Sequence, residues 1–549
     1  MMFSGRQISL FLVIVSGLVT GCGGGGGGDS ANSAVATGDA NTFLVYPNPH
    51  VQDDGSYQTL SVEYAQAYYR AIDPSSSRDS LSKWKAANHF GDVTSGEEVT
   101  VVFRDVRDLG YGRRMVVRRN IDGTIAAMVD NYQVTGVPGG AYTKLNVDAA
   151  VAEDQRWHVG TNAIEFSPYP YAASATPSFV KFYTFSQSGD RKLTANMDGL
   201  GEKPLPAVCG TCHGGRGDPL SPLTGNPSLR KFPSIANGVS GKTGDIGARM
   251  QPLQVSTFEY SDLRTTRDWL RSDQESAFKT INQFVLQTYP IPLASAAPED
   301  ALRPVAGPNE WQGTAAQFVK DAYGGDNMMV ANYSEPAVPT TWGGQETLYT
   351  KVVAPYCRTC HLVRGVKNQS DPDFTTYAKF TDYVKRIRFH VYDRGNMPLS
   401  KVTYDAFWSS DAPEVLAAYL EAQGETGLRD GSGVLLRPGR PVAIAGPDRA
   451  SPSPAKLSAA SSLYATNYTW SILSGPGAAT LSNANTVSTM LSTAVLGNYR
   501  VQLVVGNGSS QSQPVAITVH VVSDLTQVDG VTPLGKSPEQ LRFSDIKAI

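Results

Sequence analysis

Apolar residues recur at helical spacing in some stretches of the chain and at strand spacing in others, and these stretches predict its elements. Leu60, Tyr64, Tyr68 and Ala71 share one helical face ahead of a stop at Asp73-Pro74. Residues 99–106 read as a strand, and 115–119 and 124–134 flank an Asp122-Gly123 turn, a hairpin signal. Residues 179–185 alternate bulky and polar side chains before a Ser188-Gly189 turn. Ser272-x-x-Glu275 reads as a capping box ahead of a helix with Phe278, Ile281 and Val285 on one face and a stop at Pro290. Ser410 and Pro413 open another helix, with Val415, Leu416, Tyr419 and Leu420 on its apolar face. From 437 to 522 charges thin out, Ser, Ala, Val and Thr dominate, and turns recur at the ~8–12-residue spacing of an all-β sandwich.

The 549 residues call for about three or four domains. A net charge of −3 gives no case for nucleic acid as a partner. Charged residues are only 18% and Gly and Pro are plentiful, so loops are extensive. At the N-terminus, Arg6 precedes an apolar run over 8–19 that is too short to span a bilayer, the pattern of an export signal. Leu18-Val19-Thr20-Gly21-Cys22 resembles the lipobox of bacterial lipoproteins, which implies cleavage before Cys22 and acylation of it, hence a lipid anchor. The glycine run Gly23–Gly28 and a Ser/Ala/Asn stretch then form a flexible tether. Gly23 after the acylated Cys implies, by resemblance to enterobacterial sorting, the outer membrane of the cell envelope or its periplasmic face.

Two motifs carry the chemistry. Cys209-Gly-Thr-Cys212-His213 and Cys357-Arg-Thr-Cys360-His361 are copies of Cys-x-x-Cys-His, the attachment signature of a c-type haem. Two residues between the thiols let one turn of chain carry both sulfurs to one porphyrin, and the adjacent His reaches the iron from the proximal side. Five cysteines are present: four sit in the motifs, and Cys22 accounts for the fifth. A zinc site would pool thiols from distant motifs and leave both histidines without a role. The expectation is two covalently bound haem c, with His213 and His361 as iron ligands.

Both motif segments resemble class I cytochrome c domains, over 203–289 and 342–424. The resemblance implies a distal ligand on a loop downstream of each motif. Met397, followed by Pro398, fills that place after His361, and Met250, separated from Pro252 by Gln251, fills it after His213. His89, His158 and His390 are alternative ligands. Arg113, Arg114, Arg118 and Arg119 are open to two readings: a solvated strand face, or a basic surface for haem propionates or an acidic partner. Tyr468-Thr-Trp470 and Gly497-Asn-Tyr499 resemble core strands of PKD-like and other immunoglobulin-like modules, where the Trp fills the intersheet core.

The expected fold is multidomain. It comprises a signal peptide (1–21), a tether (22–42), an α+β domain (43–200), cytochrome c-like domains of mainly α structure (201–300 and 301–428, the latter with an N-terminal connecting segment) and an all-β PKD/immunoglobulin-like sandwich (437–522). The tail, 523–549, has an amphipathic run, Leu541, Phe543, Ile546 and Ile549, that resembles the lead-in to Cys357; it reads either as the start of a truncated further cytochrome domain or as a frayed end. The expected function is single-electron transfer by a membrane-anchored dihaem cytochrome to an unidentified redox partner protein or terminal acceptor, as a carrier with no catalytic residues. Two alternatives stand beside it: a dihaem peroxidase-like oxidoreductase with one open haem site, and a haem-containing surface binding or sensor protein.

Overall fold

The computed structural model describes residues 62–137, 142–168, 178–197, 202–214, 244–263, 269–289, 291–292, 302–303, 314–363 and 374–523, apart from single or paired positions within the last stretch. The signal, Cys22, the tether, Leu60, Pro290 and the tail beyond Ser523 lie outside the described residues.

Helix α1 (Val62–Ile72) buries Tyr64, Tyr68 and Ile72 along one stripe, with Ala65 and Tyr69 beside it. It stops where Asp73 turns its carboxylate onto the backbone of Ser77 and Arg78. Ser80 then caps α2 (Leu81–Ala87), which buries Trp84. Five strands follow: β1 (Gly96–Asp105), β2 (Gly112–Asn120), β3 (Ile125–Tyr132) and, after the short helix α3 (Leu145–Val151), β4 (His158–Ser167) and β5 (Phe179–Phe185). Each pairs antiparallel with the next, so the predicted hairpin is β2–β3, turning at Asp122-Gly123. Strand alternation sends Val101 and Phe103 to the main core, while Val102 meets Val147 and Ala150 of α3 on the opposite face. That opposite face is tight at Gly112, where an added Cβ would meet the Asn146 carbonyl oxygen at 1.7 Å.

All seven residues of strand β5 are buried, the polar Lys181 and Thr184 of the alternation included. Tyr68 of α1 accepts at its hydroxyl from the Phe182 N–H on the open edge (2.8 Å), and Lys181 is enclosed with Ser167, Glu165 and Arg78 beneath the strand. The arginine ladder divides: Arg113 and Arg118 are enclosed, whereas Arg119 keeps a solvated side chain beside an exposed Glu97. Arg113 pairs with Asp108, Arg114 with Glu153, Arg118 with Glu98 and Arg119 with Glu97. Arg118 is wholly buried, also bonding Asn120, Ser95 and the Asp92 carbonyl.

The expected boundary between 200 and 201 is crossed by the core. The first motif helix, α4 (Ala207–His213), and strand β6 (Phe258–Glu259), which extends the sheet in the order β5-β4-β3-β2-β1-β6, both belong to the α+β unit. Helix α5 (Arg271–Gln287) lies on the sheet as well: Phe278 packs edge-on to Phe103, and Gln274 bonds both the N–H and the carbonyl of Val102. Its start is also corrected. The helix begins at Arg271, with Asp273 accepting from the Leu270 N–H (2.9 Å), while Glu275 bonds Arg271 and the Tyr333 N–H rather than closing a box with Ser272. Helix α6 (Thr314–Ala322) completes this core with Ala316 and Val319.

A helical region follows with its own core of Trp342, Val352, Phe380, Tyr392, Phe407, Leu416 and Leu420. Its central helix, α7 (346–361), is α-helical over Glu346–Leu348, π-wound over Tyr349–Cys357 and α-helical again over Arg358–His361. Pro355 explains the wide turn, because it has no N–H to donate and its ring crowds the preceding carbonyl. Around α7 lie α8 (Tyr377–Thr381), α9 (Val384–Arg388), α10 (Lys401–Trp408) and α11 (Ala412–Ala422). Pro413 sits in the first turn of α11, and the Ser410 hydroxyl accepts from the Ala412 N–H.

The C-terminal part is two facing sheets. Strands β7 (Arg449–Pro452), β8 (Ala455–Ser458), β9 (Asn467–Ser474), β10 (Ala479–Ser482), β11 (Ser488–Thr493), β12 (Gly497–Gly506) and β13 (Val515–Val522) arrange as β7-β13-β12-β9 and β8-β11-β10. Trp470, Val501 and Val519 from one sheet and Leu457 and Leu491 from the other share one core, a sandwich-type arrangement. The Tyr499 hydroxyl donates to the Val495 carbonyl at 2.9 Å, pinning the entry to β12.

Candidate cofactor site

In the second motif, α7 presents Cys357, Cys360 and His361 to a cavity with about 960 Å³ of free space, its solvent-facing mouth included. Met397, Pro398 and Leu399 form another part of the wall, and His390, from the π-turn Phe389–Asp393, lines it too. Phe374, Phe380, Ile387 and Leu416 make the remainder largely apolar. The His361 ring stacks on Phe374 at 4.2 Å between centroids, which fixes its plane. Burial pushes the Cys357 thiol up to about 12, so it stays protonated near neutrality. Two thiols and an imidazole on one wall, a thioether on another and apolar sides between them fit a covalently held haem.

The first motif lies on α4, where the Pro206 carbonyl accepts from the Cys209 and Gly210 N–H groups. His213 Nδ1 lies 2.8 Å from the Arg249 carbonyl oxygen. A carbonyl only accepts, so Nδ1 carries the proton and the Nε2 lone pair is left for a metal. Burial pushes the His213 imidazole down to about 4, with the Arg113 guanidinium acting in the same direction, so the ring is neutral at physiological pH. That is the form an iron ligand needs.

The same segment carries Met250. The Arg249 N–H donates to the His213 carbonyl (2.9 Å), and Gln251 Nε2 donates to the Cys212 carbonyl (2.6 Å). Residues 249–251 are thus laced to the back of the imidazole, on its Nδ1 side. Met250 is a buried core residue whose carbonyl accepts from the Tyr289 hydroxyl (3.0 Å). Residues 215–243, which link His213 to this segment, lie outside the described residues and contain neither Met nor His.

Of the alternative histidines, only His390 reaches the described cavity. His158 packs against Tyr132 near Asp130 on the sheet, and His89 follows α2 in a left-handed conformation. Among the described residues no group of three or more His, Cys, Asp or Glu side chains converges as a metal site.

The structure also brings in a residue that the motifs do not reveal. Arg107, in the loop between β1 and β2, lines the second cavity and donates to the Ala354 carbonyl (3.0 Å), while the charge of Arg113, at the start of β2, acts on Cys212 and His213. The dense run Arg104-Asp105-Val106-Arg107-Asp108 was the available signal. Thr211, between the first motif's cysteines, lines the second motif's cavity, and Cys212 Sγ stands 3.3 Å from Cys360 Sγ. Arg358, between the second motif's cysteines, bonds Gln254, Tyr349 and Glu335, tying α7 to the first core.

No family model matches the chain, and no curated protein matches it. Among solved structures, the chain is similar to the solution structure of the PKD domain from KIAA 1837 protein. The match has 26% identity over 14% of this chain and 83% of that one, with a TM-score of 0.13.

Proposed function

We propose that the chain is a dihaem c-type cytochrome that carries single electrons from a lipid anchor in the bacterial cell envelope. The observation that carries this reading is the cavity on α7, where Cys357, Cys360 and His361 share an apolar pocket with Met397. Bound haem would supply one-electron chemistry between ferric and ferrous iron, its potential set by axial ligand and burial. In this reading Cys209, Cys212, Cys357 and Cys360 hold the two rings as thioethers, and His213 and His361 provide neutral imidazoles. Met397 supplies a soft neutral donor at the second iron. Phe374, Ile387 and Leu416 keep water from the ring, and Arg107 offers a cation at the cavity wall. Acylated Cys22 and the glycine tether would hold this unit at the membrane, with the C-terminal sandwich as a PKD-like spacer. The two motif segments act as cytochrome c-like units in this account, although the first shares its core with the sheet.

One observation favours a second reading. Met250 is buried in the main core between two residues that bond the first motif, Arg249 at His213 Nδ1 and Gln251 at the Cys212 carbonyl; kept there, it would leave an iron at His213 without the expected thioether. An open position there suits a dihaem oxidoreductase of peroxidase type, or a sensor. The optical spectrum of the purified ferric protein separates the readings. Two six-coordinate low-spin haems support the carrier, whereas one high-spin haem supports the enzyme or sensor.

A further inference from the structure

Resting on the dihaem reading, we propose that Cys212 and Cys360 join the two haems edge to edge into one coupled redox unit. In a c-type linkage each sulfur bonds a carbon that is itself bonded to the porphyrin. Each ring edge therefore lies two covalent bonds from its sulfur. With Cys212 Sγ and Cys360 Sγ 3.3 Å apart, the gap between the rings is bounded by that contact and two such short arms. The sequence places these cysteines in motifs far apart, so the contact is a product of the fold.

Independent contacts support the juxtaposition. Thr211 of the first motif lines the cavity of the second, so the first motif's helix forms part of that cavity's wall. Arg358 fixes the spacing: its Nε donates to Gln254 Oε1 (2.7 Å), next in chain to Leu253 of the first core, and its Nη2 donates to Glu335 (2.8 Å). Arg107 reaches from the sheet to the Ala354 carbonyl of α7, and the Ser400 hydroxyl donates to the Asp108 carbonyl. These ties link both cores across the two motif helices.

The consequence is specific to this chain. An electron arriving at either iron passes to the other across the thioether edges, one iron being oxidised as the other is reduced, with no further reactant. Charge on one iron also bears on the other, so the two reductions are not independent.

Electron paramagnetic resonance of the full-length purified protein tests this, after its haem content is established by the pyridine haemochrome assay. The diferric protein is expected to give signals broadened or split by the neighbouring spin. Half-reduced wild-type protein is expected to give a sharp, unsplit signal from the iron left ferric, which serves as an internal reference needing no variant. The Cys357→Ser/Cys360→Ser protein, with one haem, is expected to show the same loss of splitting. A diferric spectrum equal to the plain sum of two uncoupled signals overturns the inference while leaving two haems in place. A Cys212–Cys360 disulfide found by mass spectrometry in dihaem protein overturns it equally, because those sulfurs are then not thioethers. Haem content below two per chain sinks the reading beneath it instead.

Discussion

His213 Nδ1 donates to the carbonyl oxygen of Arg249 across 2.8 Å, and this bond leaves Nε2 as the ring nitrogen with a free lone pair. The next residue, Met250, lies in the core that also holds Leu253, Val255 and Phe278. It serves packing there. Met250→Leu conserves volume and apolarity, so it should cost under about 1.5 kcal/mol in urea unfolding. It should also leave the axial-ligand bands of both haems unchanged. Loss of a methionine-to-iron band in this variant would return Met250 to the iron.

Met397 faces the opposite expectation. It lines the α7 cavity with His361 and packs against both the first and second cores. Met397→Ala should abolish the weak red charge-transfer band of methionine-ligated ferric haem and lower that haem's potential, with haem content unchanged. His390→Ala is the control, because His390 shares the cavity wall. If the histidine variant alone changes the spectrum, the ligand assignment moves to His390.

Lys181 gives a pH signature. Burial pushes its ammonium down to about 7 from an ordinary 10.5, with the nearby Glu165 carboxylate opposing the shift. Between these values the unfolded chain binds a proton that the folded chain lacks, so stability rises with pH across that window. The cost of burying the charge is fully present below pH 7. Lys181→Met removes the titration and should flatten the dependence between pH 7.5 and 9.5 by up to about 1.4 kcal/mol per pH unit. Urea midpoints measured across that range provide the check, and parallel slopes for the two proteins would contradict it. Asp105, raised to about 7 by burial and by Asp108, works with the opposite sign at lower pH: its contribution declines as pH rises toward 7.

Tyr499 tests the independence of the C-terminal sandwich. Its ring is fully buried, and its hydroxyl meets the Val495 carbonyl and Thr493. Tyr499→Phe should destabilise the sandwich by about 0.5–1.5 kcal/mol, while the haem spectrum and potentials stay as in the wild type. A shifted haem spectrum would mean that the sandwich takes part in the cofactor sites.

The elements legible in the sequence are the local ones. The β2–β3 hairpin turns at Asp122-Gly123, where Gly123 adopts a positive φ of 84°. Helix α11 opens beside Pro413 because the first turn does not need its N–H. Both Cys-x-x-Cys-His motifs are equally local, since one turn of helix carries the whole device. What depends on distant partners was not legible. The core crosses residue 200 because Phe258 and Gln274 return to β1 from far downstream. Residues 179–185 alternate like a half-exposed strand, yet α1 covers the edge and Lys181 is enclosed. The approach of Cys212 to Cys360 leaves no trace in either motif.

Covalent attachment of two haems through these four cysteines is the claim on which the account rests, and the pyridine haemochrome assay on acid–acetone-extracted protein measures it directly. Wild-type protein should retain two haems per chain with the band position of thioether-linked haem. Cys209→Ser/Cys212→Ser and Cys357→Ser/Cys360→Ser should each retain one. Haem extracted freely from the wild type, or full retention in either double variant, would contradict the assignment.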